Sequence, residues 1–231
     1  MSTAAPYQND VEVAHSTAYE ATKRAVDIAV ALVVLVGFLP LWLLVALAIR
    51  LTSPGPILYR AQVAGRGGRP FAYYKFRSMH AGADDTVQRD FRRDFILQNQ
   101  PFRVERTASG EERPVYKVVD DPRVTPFGRL LRKLSLDEIP QFFNVLRGEM
   151  SVVGPRPPLL WEVPYYKPWH WERLAVKPGI TGPAQVRSRQ SLSFDEMARL
   201  DIEYVRRRSL RLDLTLMLRT PFAILRDPGR N

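Results

Sequence analysis

The chain has 231 residues, 45% hydrophobic and 25% charged, with 34 Lys plus Arg against 24 Asp plus Glu and a formal charge of +10. This composition excludes disordered, collagen-like and low-complexity proteins, and the length suits one domain with at most an appended element. The absence of cysteine removes disulfides, thiolate zinc sites, iron–sulfur clusters and a cysteine nucleophile, while the excess of cations calls for an anionic partner such as nucleotides, phosphates or an acidic membrane surface.

Residues 1–22 contain Asp10, Glu12 and Glu20 and no Lys or Arg, and read as a polar, weakly helical lead-in. Residues 23–50 carry the strongest signal: Ile28 to Ile49 are 22 residues without a charge, between Lys23-Arg24 and Arg50. At ~1.5 Å per residue such a helix measures ~33 Å, about the thickness of a bilayer core. A signal peptide fits poorly, because the apolar run is too long and starts too late. Pro40 falls inside the run, where it removes a helical hydrogen bond. Basic residues flank both ends, and positive charge marks the cytoplasmic side. These features predict a re-entrant membrane helix broken at Pro40, with a kinked spanning helix as the alternative.

Residues 51–231 read as a cytoplasmic catalytic domain. The fold class expected is α+β and mostly helical, compact, and accompanied by interfacial amphipathic helices. Ile57–Gln62 and Phe71–Phe76 predict two strands joined by a glycine-containing turn. Asp84–Gln98 is a charged helix candidate, and Thr107–Arg113 reads as a polar surface loop. Trp161 to Trp171 holds five Trp or Tyr residues among prolines and a lysine. Those rings suit either the lipid headgroup layer or a protein core. From Glu203 to Asn231 there are seven arginines against three acids, interleaved with leucines. Such a segment lies on anionic membranes.

Adjacent carboxylates occur at Asp84-Asp85, Glu111-Glu112, Asp120-Asp121, Asp137-Glu138 and Asp195-Glu196, so pairing alone decides nothing. Context separates Asp137-Glu138, which sits in an apolar stretch after Arg129, Arg132 and Lys133. Ser135 followed by Glu138 reads as a capping box, opening a helix that ends at Gly148. On this reading Glu138 has a structural use. Asp137, in a first helical turn among cations, suits phosphate chemistry as a nucleophile or a Mg2+ ligand. Arg156, between Pro155 and Pro157, suits a fixed phosphate ligand, with a plain polyproline turn as the alternative. Lys75 and Arg77 lie beside aromatics in Tyr74-Lys-Phe-Arg77. Lys177-Pro-Gly-Ile-Thr-Gly182 is a turn without a decisive signal.

In order along the chain run Lys23-Arg24-x-x-Asp27, Tyr74-Lys-Phe-Arg-Ser-Met79, Asp121-Pro-Arg-Val-Thr125 and Arg132-Lys-Leu-Ser-Leu-Asp-Glu-Ile-Pro-Gln141. Then follow Asn144-Val-Leu-Arg-Gly148, Gly154-Pro-Arg-Pro157, Lys177-Pro-Gly-Ile-Thr-Gly182 and Leu200-Asp-x-x-Tyr-Val205. Together they resemble the bacterial sugar transferases, in particular the small monotopic polyprenyl-phosphate phosphoglycosyl transferases, from about Lys23 to Leu225. The resemblance implies transfer of a sugar-1-phosphate from a nucleotide diphosphate sugar, a UDP-sugar in expectation, to undecaprenyl phosphate, with Mg2+ and release of the nucleoside monophosphate. It further implies Asp137 as nucleophile with Glu138 beside it, both as metal ligands, and Lys75, Arg77, Arg132, Arg156 and Asp201 as substrate- or phosphate-binding residues. The implied setting is the cytoplasmic face of a bacterial inner membrane, among its lipids, with a homodimer as candidate assembly and no nucleic acid as partner.

Three departures stand out: Pro183 where tryptophan is usual, Arg187-Ser188-Arg189 where Asn-Gly-Arg is usual, and Leu39 in place of the serine often found before the helix-breaking proline. Two other classes remain open: an ordinary membrane-associated glycosyltransferase, and a non-enzymatic membrane-anchored scaffold or nucleic-acid binder.

Overall fold

A computed structural model of the chain describes residues 16–106, 110, 112–116, 121–187 and 192–226. Helix α1 (Thr17–Gly37) is capped by the Ser16 hydroxyl, which accepts from the Tyr19 amide. It begins inside the stretch read as a lead-in, of which residues 1–15 lie outside the described part. Helix α2 (Leu39–Thr52) follows with Pro40 in its first turn, and the two axes are bent by 63°. Neither helix is long and apolar enough to cross a membrane alone, whereas the bent pair qualifies together. Leu32, Val33, Val36, Leu43, Leu44, Leu47 and Leu51 point outward from the pair and are exposed. The break has its own hydrogen-bond solution. The Trp42 indole Nε1 donates to the Val34 carbonyl at 2.8 Å, one of the acceptors near the end of α1. An indole N–H thus performs backbone satisfaction beside a proline that has no serine before it.

Trp42→Phe keeps a ring and removes this donor, so the expected cost is about 1–3 kcal/mol for a carbonyl left without its partner. The check is a thermal melt of purified protein in detergent, where the midpoint falls by several degrees. An unchanged midpoint would remove Trp42 from this role.

Strands β1 (Leu58–Ala64) and β2 (Pro70–Phe76) form an antiparallel pair in register Tyr59↔Lys75 and Ala61↔Tyr73, close to the bounds expected from sequence. Between them Gly67 takes φ 66°, which suits a residue lacking Cβ. Helix α3 (Thr86–Gln98) confirms the charged helix. Then β3 (Arg103–Arg106) pairs antiparallel with β4 (Glu112–Val115). The loop expected over Thr107–Arg113 is therefore partly strand; Thr107, Ala108, Ser109 and Glu111 lie outside the described residues. Helices α4 (Pro126–Lys133) and α5 (Gln141–Arg147) follow. Next come β5 (Ser151–Val153) and β6 (Gly179–Thr181), a parallel pair. Helices α6 (Pro183–Arg187), α7 (Phe194–Arg207) and α8 (Leu210–Arg226) close the chain. The result is mixed and mostly helical, and the described strands make three two-stranded sheets.

The main core gathers Ala31 of α1, Val63, Tyr73, Phe142, Val145, Met150, Val152, Val153, Tyr204 and Leu216. Polar groups lock α1 onto it. Asp27, 4% exposed, accepts from the Ser151 hydroxyl at 3.0 Å and the Val152 amide at 2.8 Å. Lys23 donates to Asp213 of α8 at 3.0 Å, to the Val153 carbonyl at 3.1 Å and to the Tyr204 hydroxyl at 3.3 Å. The aromatic segment folds as 3-10 turns over Leu160–Tyr165 and Pro168–Leu174. Tyr166 and His170 are buried against Phe194, and Tyr166 shares a second core with Phe95. Of the two readings for those rings, core packing describes Tyr166. Burial also presses the His170 imidazole below its ordinary value, although its bond to Asp195 opposes this. Helix α8 buries Asp213 and Leu216 and leaves Leu214, Leu218, Phe222 and Leu225 exposed as an apolar face.

Candidate active site

Pro140 shapes the local structure around the acidic pair. An α-helix from Ser135 would need an amide at position 140 to donate back to the Leu136 carbonyl, and proline has none. That carbonyl instead accepts from Ile139 at 3.3 Å, closing a 3-10 turn over Leu136–Glu138, and α5 starts only at Gln141. Ser135 takes φ 56° and makes no side-chain cap. The expected capping box is thus absent, and a single 3-10 turn is too short for a helix-end charge argument. The end of the segment is as expected, with Gly148 at φ 79° closing α5.

Without a capping duty, Glu138 faces two cations. Lys75 Nζ lies 2.9 Å from Glu138 Oε1 and 3.5 Å from Asp137 Oδ2. Arg156 Nη1 donates to the same Glu138 oxygen at 2.9 Å. Asp137 and Glu138 are 6% and 7% exposed, so these charges meet in a largely desolvated place. Burial alone would press the Lys75 ammonium down, but the Glu138 carboxylate, with Tyr73 and Asp137, more than offsets it and holds the pKa above the ordinary lysine value. Arg156 is likewise pushed down by burial and carried above its usual value by Glu138 and Tyr73. Burial lowers Arg132, against the opposing pull of Asp137 and Asp121.

Each cation has a reason for its position. Lys75 stands on β2 opposite Tyr59, with its ammonium 5.5 Å from the Tyr73 ring centre. Arg132 is on α4 and donates through Nε to the Ser78 hydroxyl at 2.8 Å. A Cβ on Gly128 would come 2.0 Å from the Ser78 carbonyl oxygen, so only glycine lets α4 lie this close to the end of β2. Arg156 is held by its neighbours' backbone: Gly179 donates to the Pro155 carbonyl at 2.8 Å and Ala64 to the Pro158 carbonyl at 3.0 Å. A Cβ on Gly179 would fall 2.0 Å from the Gly154 amide, which explains glycine in both motifs.

Two residues assigned to substrate binding stand elsewhere. Arg77 is buried and donates to the carbonyls of Pro54 and Ser53, at 2.6 and 2.7 Å, and to the Ser53 hydroxyl at 2.8 Å. Strand β2 ends at Phe76, so strand alternation no longer aims this side chain; it anchors the exit of α2. Asp201 is fully buried on α7 and pairs with Arg173 at 2.5 Å. Arg173 also donates to the Tyr166 hydroxyl at 2.9 Å and reaches the Arg156 carbonyl at 3.4 Å. Asp201 thus connects to the Arg156 backbone through Arg173. Sequence reasoning missed Arg173; its one signal is an arginine two residues past the aromatic segment, and its acid lies 28 residues away.

The sequence profile of the bacterial sugar transferases matches residues 18–227. The chain belongs to that family. This bacterial sugar transferase is 36% identical over 207 residues to the exopolysaccharide production protein ExoY of Rhizobium meliloti (strain 1021), covering 90% of this chain and 87% of ExoY. It is 39% identical over 216 residues to the UDP-glucose:undecaprenyl-phosphate glucose-1-phosphate transferase of Caulobacter vibrioides, covering 90% of this chain and 71% of that protein. Against the galactosyl transferase CpsE of Streptococcus agalactiae, identity is 38% over 176 residues, which is 76% of this chain and only 36% of CpsE. Transferase chemistry is the shared property of this family, and its relatives include proteins named for exopolysaccharide production.

The acidic pair also bears on a metal. Among the described residues no group of three His, Cys, Asp or Glu side chains could hold an ion. Asp137 and Glu138 supply oxygen donors only, which fits Mg2+, an ion commonly bound by one or two carboxylates with the remaining ligands from water and substrate phosphates.

Proposed function

We propose that this sugar transferase moves a sugar-1-phosphate from a nucleotide diphosphate sugar, a UDP-sugar by preference, to undecaprenyl phosphate through a covalent intermediate on Asp137. The observation that carries the reading is the buried Asp137-Glu138 pair facing Lys75 and Arg156, with Arg132 in electrostatic reach. Phosphoryl transfer needs positioning and charge neutralisation more than covalent work from the protein. An Asp137 oxygen attacks the sugar-proximal phosphorus. The new O–P bond forms as the P–O–P bridge breaks, and the nucleoside monophosphate leaves with the bridging oxygen. A phosphate oxygen of the lipid then attacks the same phosphorus and frees the carboxylate. Lys75 and Arg156 offset the charge on the equatorial oxygens, and Glu138 holds both cations in place. Asp137 and Glu138 would hold Mg2+, whose charge would further neutralise the diphosphate.

The donor is identified by incubating purified protein and undecaprenyl phosphate with a panel of nucleotide sugars. The expected product is nucleoside monophosphate, formed with Mg2+ and lost on chelation. Release of nucleoside diphosphate would replace this reading with ordinary glycosyl transfer, and turnover undiminished by chelation would remove the metal.

The acceptor explains the membrane element. The apolar arms of α1 and α2 are each about 15 Å long, half of a bilayer core, and they meet at a bend. A re-entrant pair places both flanks and the exposed face of α8 on the cytoplasmic side of the inner membrane. The cysteine-free chain permits a direct check. A single cysteine at Ala5 should resist an impermeant thiol reagent in intact cells and react after lysis, whereas labelling from outside would establish a spanning helix.

A further inference from the structure

A second charged cavity lies apart from the Asp137 cluster, where the start of α1 meets β5 and the segment before β6. Its walls carry Lys23, Arg24, Arg66, Lys177 and Arg208 against only Glu20 and Asp27. Most of these groups are already engaged. Lys23 binds Asp213, Arg208 binds Glu20 at 3.0 Å, and Asp27 accepts from β5. Arg24 donates to the last carbonyls of α5, at 2.5 Å to Val145 and 2.8 Å to Leu146. Among the described residues, the side chains of Lys177 and Arg66 have no hydrogen-bond acceptor or ion-pair partner.

Lys177 nevertheless points into a positive neighbourhood. A Cβ placed on Gly148 would lie 3.7 Å from both Lys177 Nζ and Arg24 Nη2, so the two cationic heads converge over that glycine. Burial and then the Arg24 charge lower the lysine pKa and Arg66 adds to this, while Asp27 and Glu20 oppose it without reversing it. Cations gathered without an acid of their own are complementary to an anion. The place suggests which one: Lys23 and Arg24 lie about one helical turn before the uncharged run Ile28–Ile49, with Asp27 between them and that run turned inward onto β5. If that pair is the membrane element, as proposed above, the cavity opens at headgroup level.

We propose that Lys177, Arg66 and Arg24 bind the phosphate of an anionic phospholipid headgroup, fixing the depth and tilt of α1 independently of the transfer reaction. The test is native mass spectrometry of the full chain released from neutral detergent micelles doped with phosphatidylglycerol or phosphatidylcholine. Wild type should retain a phosphatidylglycerol molecule in preference to phosphatidylcholine. The Lys177→Gln/Arg66→Gln pair should weaken retention about 30-fold, roughly 5-fold per basic residue, while Lys177→Arg preserves it. Arg206→Gln/Arg207→Gln removes exposed charge elsewhere and should have no such effect. Thermal midpoints of all variants verify folding; if the double variant misfolds, Arg66→Gln alone, on an exposed residue, should still weaken retention. Equal retention by wild type and a folded double variant overturns the site. Binding of inorganic phosphate without retained phosphatidylglycerol overturns the lipid assignment in favour of a soluble anion. The readout is lipid retention, so a chain that holds phosphatidylglycerol but fails to turn over refutes the transferase reading alone.

Discussion

Asp137→Asn should reduce turnover by about 10³-fold or more while leaving the chain folded, because an amide is a poor nucleophile at phosphorus and nearly matches the carboxylate in shape. Substrate labelled in the sugar-proximal phosphate should mark the wild-type protein when lipid acceptor is withheld. Added undecaprenyl phosphate should clear the mark, and the Asn variant should never acquire it. Glu138→Gln makes a useful contrast. It weakens the charge that gathers Lys75 and Arg156 on one oxygen, so turnover should fall while the labelled intermediate still forms. A labelled and active Asp137→Asn variant would rule out the covalent route and leave direct displacement.

The largest expected loss of stability is at Asp27. Its carboxylate accepts from a hydroxyl and an amide of β5, and both it and Ser151 are buried. Asp27→Ala leaves those donors without partners, and hydrogen bonds to a charged group contribute about 1.5–3 kcal/mol each. The expected cost is about 3 kcal/mol or more, a midpoint lower by roughly 6–12 °C for a chain of this size. Asp27→Asn keeps an acceptor and should recover part of the loss. A melt of Asp27→Ala that overlays wild type would show that β5 finds other acceptors.

Local signals were readable in the sequence and distant pairings were not. Pro40 announced the break because proline's missing amide acts on its own turn. Two short strand segments with glycines between them placed the β1–β2 hairpin. The Ser135–Glu138 pattern misled because Pro140, two residues beyond, prevents the helix that a capping box would start. Asp137, Glu138, Lys75, Arg132 and Arg156 were selected by family motifs, and the structure brings their elements together. Arg77 shared a motif with Lys75 yet anchors α2, a difference that depends on where β2 ends. The Asp201–Arg173 pair joins α7 to the aromatic segment, and the Trp42 indole reaches a carbonyl eight residues back. No local pattern specifies either contact.

The Lys23–Asp213 pair joins groups 190 residues apart, and this has a consequence for synthesis. At about 5–20 residues per second, the ribosome makes Asp213 roughly 10–40 s after Lys23. Asp27 waits a comparable interval for β5, 125 residues later. For most of that interval the apolar hairpin is complete while its polar clasps have no partners. On the proposed re-entrant reading, the nascent chain settles α1 and α2 in lipid before the rest of the chain exists, and the domain then folds against an anchor already in place.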